Sequence, residues 1–261
     1  MLHLNLRLRR SKTIFEVGAY IGDDELIETC RKHGHRLYLF EPNPRCVEIL
    51  RRKTEGMRTA EVVPAAISNF RGTAQFHIAC HDDCSSLQEF DENANKNWVH
   101  EWHPYKNFEM VDRFEVEVIR LDGFMEANGI ETVDLLEIDA QGEDLRVVES
   151  LGDRLRDVKK IQIEVNIHSA PLYKGGCTMT EALAFFSAHG FEKHISWKQC
   201  LNREENVIFR NKRFYKSRLL NLVSSRSEQY YRSARNAWVK LPRVLAVTGM
   251  MLRQRFGGQR A

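Results

Sequence analysis

Near its start, this 261-residue chain carries an apolar run that ends in two spaced glycines, with an acid just before the first of them. Residues 14–22 read IFEVGAYIG, so the acid is Glu16 and the glycines are Gly18 and Gly22. Such a run is typical of a strand that turns into a helix and brings its backbone close to a nucleotide-like ligand. The pattern therefore predicts an α/β fold in which a parallel sheet holds a ligand at the carboxyl ends of its strands.

Glu16 also restricts the kind of ligand. Dinucleotide folds place a pyrophosphate at the helix N-terminus, where backbone N–H groups and the helix dipole favour anions. A carboxylate at Glu16 would repel a pyrophosphate, and the turn reads Gly18-x-x-x-Gly22 instead of Gly-x-Gly-x-x-Gly. A ligand with an adenosine, no phosphates and a cationic amino-acid end suits this turn better, and S-adenosylmethionine (SAM) has these features.

A second acid follows one βα unit later. Residues 37–40 read LYLF, which is typical of a buried strand, and the motif EPNP occupies residues 41–44. We expect Glu41 to accept hydrogen bonds from both ribose hydroxyls of the ligand, with Pro42 and Asn43 beside it. Dinucleotide enzymes also bind a ribose through an acidic residue at this place in the fold, so Glu41 alone does not distinguish an NAD site from a SAM site.

The alternation of apolar strands with amphipathic helices continues to about residue 210 and predicts a doubly wound, mostly parallel sheet. Strands are expected at 13–17, 36–40, 60–64, 134–138, 160–165 and 206–209, with a strand-like excursion at 73–79. Helices are expected at 24–33, 44–54, 122–128, 142–150 and 179–189. The fourth of these strands, 134–138, ends in Asp139 and turns through Gly142, so its end faces the same crevice as the first two motifs.

Together, the segments at 14–22, 38–44 and 133–145 resemble the FkbM family of SAM-dependent methyltransferases. Its members carry an acid-x-Gly-x-x-x-Gly turn, a Phe-Glu-Pro-x-Pro segment and a strand end of the Ile-Asp-Val-Glu-Gly type. Shorter similarities lie at 63–68, 85–87, 119–122 and 161–165. The resemblance implies a Rossmann-like class I methyltransferase domain. It also implies a SAM site formed by Glu16, Gly18, Tyr20, Gly22, Glu41, Pro42, Asn43, Ala66 and Asp139.

Two positions depart from the family pattern. Glu137 stands where the family has lysine, and Gln141 stands where it has glutamate. If the family's glutamate takes a proton or binds a metal, Gln141 cannot do either as an anion. These departures leave open a SAM-binding interaction module without catalysis.

Methyl transfer to an alcohol needs an aligned acceptor and a group that removes its proton. Three candidate catalytic residues follow the middle strands: Asp139, Glu164 and His168. His168 is the preferred base because imidazole titrates near neutrality, although a loop histidine bonded to a carbonyl is an equal alternative. Asp139 is expected to cap the next helix or orient the base, and Glu164 to pair with a basic group.

The polar insert at 80–115 is far longer than an ordinary connection and is rich in His, Trp, Asp and Asn. We interpret 85–110 as a segment that covers the acceptor, because its tryptophan and tyrosine side chains can stack on a sugar face while the polar groups between them bond its hydroxyls. A peripheral loop or an oligomer contact is the alternative. His77, Cys80, His81 and Cys84 lack the spacing of a zinc site, so no metal is expected.

The last part of the chain differs in charge from the rest. Residues 211–261 contain twelve Lys and Arg against one acid, whereas the whole chain carries only +3. We therefore predict a methyltransferase domain at 1–210 and a basic amphipathic helical tail at 211–261. The acidic domain disfavours nucleic acid as a partner. The apolar stripe of the tail is expected to pack on the domain, on a second subunit, or peripherally on an anionic membrane.

No apolar leader is expected at the N-terminus, and the six cysteines are expected to be free thiols of a cytoplasmic protein. The family resemblance implies O-methylation of a hydroxyl on a sugar of a glycan, a glycolipid or a glycosylated metabolite. Non-sugar natural products such as polyketides are the alternative acceptors.

Overall fold

The computed structural model describes residues 11–99, 105–199 and 203–215. Its strands are β1 (Thr13–Val17), β2 (Arg36–Phe40), β3 (Ala60–Val63), β4 (Ala66–Ile67), β5 (Gly72–Ala79), β6 (Met110–Ile119), β7 (Leu135–Ile138), β8 (Lys160–Asn166), β9 (Phe191–Gln199) and β10 (Glu204–Asn211). Its α-helices are α1 (Asp24–His33), α2 (Pro44–Lys53), α3 (Ala94–Trp98), α4 (Leu121–Ala127), α5 (Asp144–Glu149) and α6 (Met179–Ala188).

Seven strands form the main sheet in the order β3-β2-β1-β7-β8-β10-β9. The pairs β1–β2, β1–β7, β2–β3 and β7–β8 are parallel, and β10 is antiparallel to both β8 and β9. The strand order reverses between β1 and β7, so the carboxyl ends of these strands flank a crevice. The predicted doubly wound, mostly parallel α/β fold is confirmed.

Alternating side chains of the strands supply a core on each side of this sheet. Phe15 and Val17 belong to the larger cluster, whereas Ile14 packs in a second cluster with Ile27 of α1 and Leu50 of α2. Successive residues of a strand point to opposite faces, so one strand contributes to both cores. Parallel strands covered on both sides are expected to be apolar throughout, which is why their positions could be predicted from apolar runs.

Three strands were not predicted from the sequence: the two-residue strand β4 and the longer strands β6 and β9. β6 alternates charged with apolar residues and pairs with β5 and β4 in a separate three-stranded sheet. β9 is the edge strand of the main sheet, and its exposed or half-buried lysines and histidine hide the strand pattern. Both longer strands carry polar residues on a solvent-facing side. A continuous apolar run is typical only of a strand that is covered on both faces.

The described residues of the insert at 80–115, which are 80–99 and 105–115, pack around a small core of their own. Trp98 of α3 is completely buried there with Phe108, and its indole N–H donates to the carbonyl oxygen of Ala170 at 3.1 Å. Trp98 is therefore not available to stack on an acceptor, as the sequence interpretation of 85–110 required. The other aromatic and histidine side chains of that interpretation at 100, 102 and 103 lie outside the described residues.

The compact body continues past the predicted boundary at residue 210 and ends at Phe214. Asn211 is the last residue of β10, and its amide donates to the carbonyl oxygens of Arg156 and Val158, both at 3.1 Å. The predicted amphipathic helix of the tail lies outside the described residues and stays a prediction. Within the described ranges, every helix is too short or too polar to span a bilayer.

Candidate cofactor and active site

A cavity opens at the carboxyl ends of β1, β2 and β7. Every residue of the predicted SAM site except Glu16 and Gly22 lines it. The predicted residues that the structure brings together there are Gly18, Tyr20, Glu41, Pro42, Asn43, Ala66 and Asp139. The cavity therefore lies at the reversal of strand order, where open α/β sheets bind ligands.

Gly18 begins the turn that forms one wall of this cavity. Its φ is +74°, and a Cβ atom built on it would lie 2.0 Å from the carbonyl oxygen of Asp139. The amide N–H of Gly18 donates to the carbonyl oxygen of Phe40 at 3.1 Å. A side chain at this position would push β1 away from β7, so the turn requires glycine.

Gly22 and Glu16 do not line the cavity. Gly22 supports the turn from behind, because a Cβ atom there would lie 2.8 Å from Leu50 and 2.9 Å from Ile27. Glu16 is buried in the middle of β1 and stands beside Glu137 of β7 in the strand register. Glu16 is thus placed in the sheet below the turn, and its predicted contact with the cofactor stays a prediction.

Glu41 lies at the end of β2 with only 5% of its surface exposed. Its two carboxylate oxygens accept the backbone N–H groups of Tyr20 and Asn43, each at 2.8 Å. Burial raises the pKa of Glu41 to about 7, although these two hydrogen bonds act to lower it. Each carboxylate oxygen can accept more than one hydrogen bond, so Glu41 retains capacity for the hydroxyls of a ligand.

The charged groups that line the cavity are all acidic. They are Glu41, Asp82, Asp83, Asp139 and Glu143, and the described lining contains no lysine, arginine or histidine. Glu143 is partly neutralised by Arg146, whose Nη1 lies 2.9 Å from its carboxylate. The excess of carboxylates favours a ligand with positive charge and opposes one with phosphates.

Asp139 is held by a chain of side-chain hydrogen bonds. Gln141 donates through Nε2 to Asp139 Oδ1 at 2.5 Å, and the Tyr173 hydroxyl donates to Gln141 Oε1 at 2.6 Å. The same hydroxyl lies 2.9 Å from the carbonyl oxygen of Cys84. Gln141 itself has a φ of +53°, and its carbonyl oxygen accepts the Ser86 hydroxyl at 2.7 Å. Asp139 therefore faces the cavity from a constrained turn.

Glu164 lies in a separate, small acidic cavity with Asp144 and Glu204. Burial and the carboxylate of Glu204 raise the pKa of Glu164 well above its usual range. Burial also raises the pKa of Asp144, which accepts the backbone N–H of Glu164 at 3.1 Å. The sequence interpretation paired Glu164 with a basic group, whereas the structure surrounds it with carboxyl groups and the Gln199 amide.

His168 is exposed in the loop after β8 and lines neither cavity. Its Nδ1 accepts the backbone N–H of Ala170 at 3.2 Å, and the backbone N–H of His168 donates to the Asn166 side-chain oxygen at 2.8 Å. The structure thus does not bring His168 together with Asp139 at the cavity. Of these two candidate catalytic residues, Asp139 lines the cavity and His168 does not.

Sequence reasoning missed one wall of the cavity. The segment from Asp82 to Leu87 contributes four of its residues, and Phe76 of β5 contributes an apolar surface. The similarity at 85–87 was a signal for this wall, although it gave no role to the two aspartates. In the part of the chain that the structure describes, no group of three His, Cys, Asp or Glu side chains could hold a metal ion.

Comparisons with known proteins agree with this geometry. A profile of the methyltransferase FkbM domain matches residues 16–193. The 2-O-methyltransferase NoeI of Sinorhizobium fredii (strain NBRC 101917 / NGR234) is 26% identical over 166 residues, which is 62% of this chain and 65% of NoeI. The matched region thus spans less than two thirds of that relative.

Solved structures with a related chain path include a precorrin-6y C5,15-methyltransferase from Geobacter metallireducens GS-15. It is 14% identical, with a TM-score of 0.38 over 79% of this chain and 83% of that one. TrmK from M. capricolum in complex with S-adenosyl-homocysteine (SAH) is 9% identical, with a TM-score of 0.42 over 78% of this chain and 64% of TrmK. Since the family profile covers more than half of the sequence, the chain belongs to the FkbM family of methyltransferases.

Proposed function

We propose that this protein is a SAM-dependent O-methyltransferase that transfers a methyl group to a hydroxyl of a sugar. The observation that carries the proposal is the acidic cavity at the carboxyl ends of β1, β2 and β7 in a chain of this family. The sulfonium and ammonium groups of SAM are cationic, and the described lining offers them carboxylates and no competing cation.

The residues of the cavity fit SAM part by part. Glu41 is a buried acceptor suited to ribose hydroxyls, and Ala66, Ile67 and Phe76 supply apolar surface suited to an adenine. Gly18 allows the backbone to approach the ligand closely. A pyrophosphate would place two negative charges beside these carboxylates, and their mutual repulsion argues against NAD.

When bound, SAM supplies a methyl group that is already activated by the positive charge on sulfur. The protein must align an acceptor oxygen with it and remove the acceptor's proton. Asp139 is the carboxylate placed for that proton, because it faces the cavity from the end of β7. Bound SAM would supply the methyl group and would leave as S-adenosyl-homocysteine, while Asp139 would hold the proton that the acceptor hydroxyl loses.

The acceptor class rests on similarity and on the polar surroundings of the cavity. The relative NoeI is a 2-O-methyltransferase, and Asp82, Asp83 and Ser85 give this cavity acceptors for hydroxyl donors. Asp83 also accepts the hydroxyl of Tyr105, which stacks on His81 at 4.0 Å. A non-sugar hydroxyl acceptor is the second candidate, and a SAM-binding module without catalysis is the third.

Calorimetry with SAM, SAH and NAD tests the cofactor, and incubation with methyl-labelled SAM tests transfer. We expect SAM and SAH to bind and NAD not to bind. The transfer assay uses methyl glycosides as sugar probes and simple phenols as non-sugar probes. Label on a glycoside supports the sugar proposal, label on phenols alone supports the second candidate, and SAM binding without transfer to either supports the third. NAD binding in preference to SAM would refute the cofactor assignment.

A further inference from the structure

The turn after β7 contains a glutamine whose two amide atoms have different partners. The Asp139 carboxylate can only accept, so the atom of Gln141 that faces it at 2.5 Å must be the NH₂ group. The carbonyl oxygen of that amide is then left to face Tyr173, which donates its hydroxyl at 2.6 Å. The chemistry of the two neighbours therefore fixes the orientation of the Gln141 side chain.

Tyr173 is in turn held firmly in place. It is 3% exposed and packs in the small core of the insert with Trp98 and Phe108. A Cβ atom built on Gly142 would lie 2.6 Å from Tyr173 Cβ, so the ring lies directly against the turn. Burial and neighbouring anionic groups raise the pKa of Tyr173 well above its usual range. The phenol therefore stays protonated and remains a donor.

A glutamate at position 141 would act differently from glutamine. Its carboxylate would face that of Asp139 at hydrogen-bond distance, and the two would have to share a proton. The amide of Gln141 instead donates a hydrogen bond to Asp139 and leaves the rest of that carboxylate able to accept a proton. Gln141 thus leaves the negative charge of Asp139 available to a group in the cavity.

We propose that Gln141 and Tyr173 are positioning residues that hold the Asp139 carboxylate toward the cofactor cavity. This inference rests on the proposed function, in which Asp139 faces the cationic end of SAM and takes the acceptor proton. Tyr173 acts through Gln141, and Gln141 acts on Asp139 directly. The insert core is thereby connected to the Asp139 carboxylate through Tyr173 and Gln141.

The test uses binding, so it needs no acceptor. SAM, SAH and adenosine are titrated by calorimetry into the parent protein and into Asp139→Asn, Gln141→Met, Tyr173→Phe and the Gln141→Met/Tyr173→Phe double variant. SAM and SAH differ by the methyl group and the positive charge on sulfur. The ratio of their affinities therefore measures how strongly the Asp139 carboxylate attracts that charge. We expect Asp139→Asn to lower this ratio about threefold or more.

The positioning role predicts that Gln141→Met and Tyr173→Phe each lower the ratio in the same direction, with adenosine affinity unchanged. The double variant should resemble the stronger single variant, since both act on one group. Tyr38→Phe is the matched control: it removes a tyrosine hydroxyl that accepts from Arg36 within β2, and Tyr38 does not line the cavity. This control should retain the parental ratio.

Two results would overturn the positioning role while leaving the proposed function intact. One is that Gln141→Met and Tyr173→Phe both keep the parental ratio of SAM affinity to SAH affinity although Asp139→Asn lowers that ratio. The other is an equal loss of SAM, SAH and adenosine affinity in Tyr173→Phe, which indicates a purely structural role. Failure of the parent protein to bind SAM would instead refute the proposed function. Where transfer is measurable, Gln141→Glu should move the pH profile of kcat/KM toward higher pH, because the paired carboxylates retain a proton.

Discussion

The carbonyl oxygen of Asp139 occupies the space that a Cβ atom on Gly18 would need, with 2.0 Å between the two positions. The turn that follows β1 and the end of β7 are therefore packed against each other through backbone atoms. The backbone N–H of Asp139 also donates to the carbonyl oxygen of Val17 at 3.0 Å. Asp139, which lines the cavity, is thus fixed to the turn that forms one wall of that cavity.

Gly18→Ala should abolish SAM binding or unfold the protein. Gly34 at the end of α1 is the matched control, because its φ of +64° is similar to the +74° of Gly18 and no atom lies within 4 Å of its Cβ position. We expect Gly34→Ala to cost about 1–2 kcal/mol of stability through backbone strain alone. Gly18→Ala should cost clearly more, as measured by denaturant unfolding and SAM titration. Equal costs for the two variants would show that the contact with Asp139 is not tight.

SAM affinity should rise with pH through the titration of Glu41. Its pKa of about 7 means that the carboxyl group is protonated in acid, and this proton must leave before the group can accept two ribose hydroxyls. Affinity measured by calorimetry should be about tenfold weaker near pH 6 than near pH 8. An affinity that is constant over this interval would contradict ribose binding by ionised Glu41.

The same pKa affects the stability of the ligand-free protein in the opposite direction. The folded-state pKa of Glu41 lies above its ordinary value of 4.5, so the folded state binds more protons between pH 4.5 and about 7. Its contribution to the free energy of unfolding therefore decreases as pH rises through this interval. The Glu41→Gln variant has no carboxyl group to titrate at this position, so it should bind SAM more weakly and with a smaller pH dependence. This result would distinguish the titration of Glu41 from that of the amino group of SAM.

Asp139→Asn and His168→Ala distinguish the two candidate bases. Asp139 lines the cavity, whereas His168 is exposed and bonded to its own loop. We expect Asp139→Asn to lower the transfer rate by about 10²–10⁴, the usual contribution of a general base. His168→Ala should retain a rate close to that of the parent. A large loss in His168→Ala with little loss in Asp139→Asn would restore His168 as the base.

The main sheet and most of the cofactor cavity could be predicted because their signals are local in sequence. Gly18 and Glu41 each follow directly after a buried strand, and parallel strands place such positions at one edge. Tyr173 had no such signal, since it lies in an irregular segment and reaches Gln141 and Cys84 across 32 and 89 positions of the chain. Contacts of that kind depend on how the insert core packs, which a local pattern does not encode.

His168 shows the opposite limitation. A histidine just after a central strand is a reasonable base on position alone, because strand ends of this fold face the ligand crevice. The loop after β8 instead uses the His168 ring to accept a backbone N–H, and the Asn166 side chain caps the same loop. Local side-chain to backbone bonds of this type decide where a loop residue points, and they are not apparent from spacing.

Truncation of the chain tests where the catalytic body ends and what the basic tail does. Asn211 satisfies two backbone carbonyls, and Lys212 donates its N–H to the carbonyl oxygen of Gly190 at 3.0 Å. A protein that ends after Arg210 loses these bonds and should be clearly less stable. One that ends after Tyr215 keeps them and should bind SAM as the full chain does. Equal stability of the two truncations would show that residues 211–215 add nothing to the body.

The truncation after Tyr215 also tests the proposed contact of the tail with an anionic membrane. Residues 211–261 carry twelve basic residues against one acid, and each basic residue near an anionic surface contributes about 1 kcal/mol. In flotation assays we expect the full chain to bind vesicles that contain phosphatidylserine and to be released by salt. The shortened chain should not bind, and neither should bind neutral vesicles. If the full chain does not bind anionic vesicles and the truncation changes the number of subunits in solution, the tail joins subunits instead.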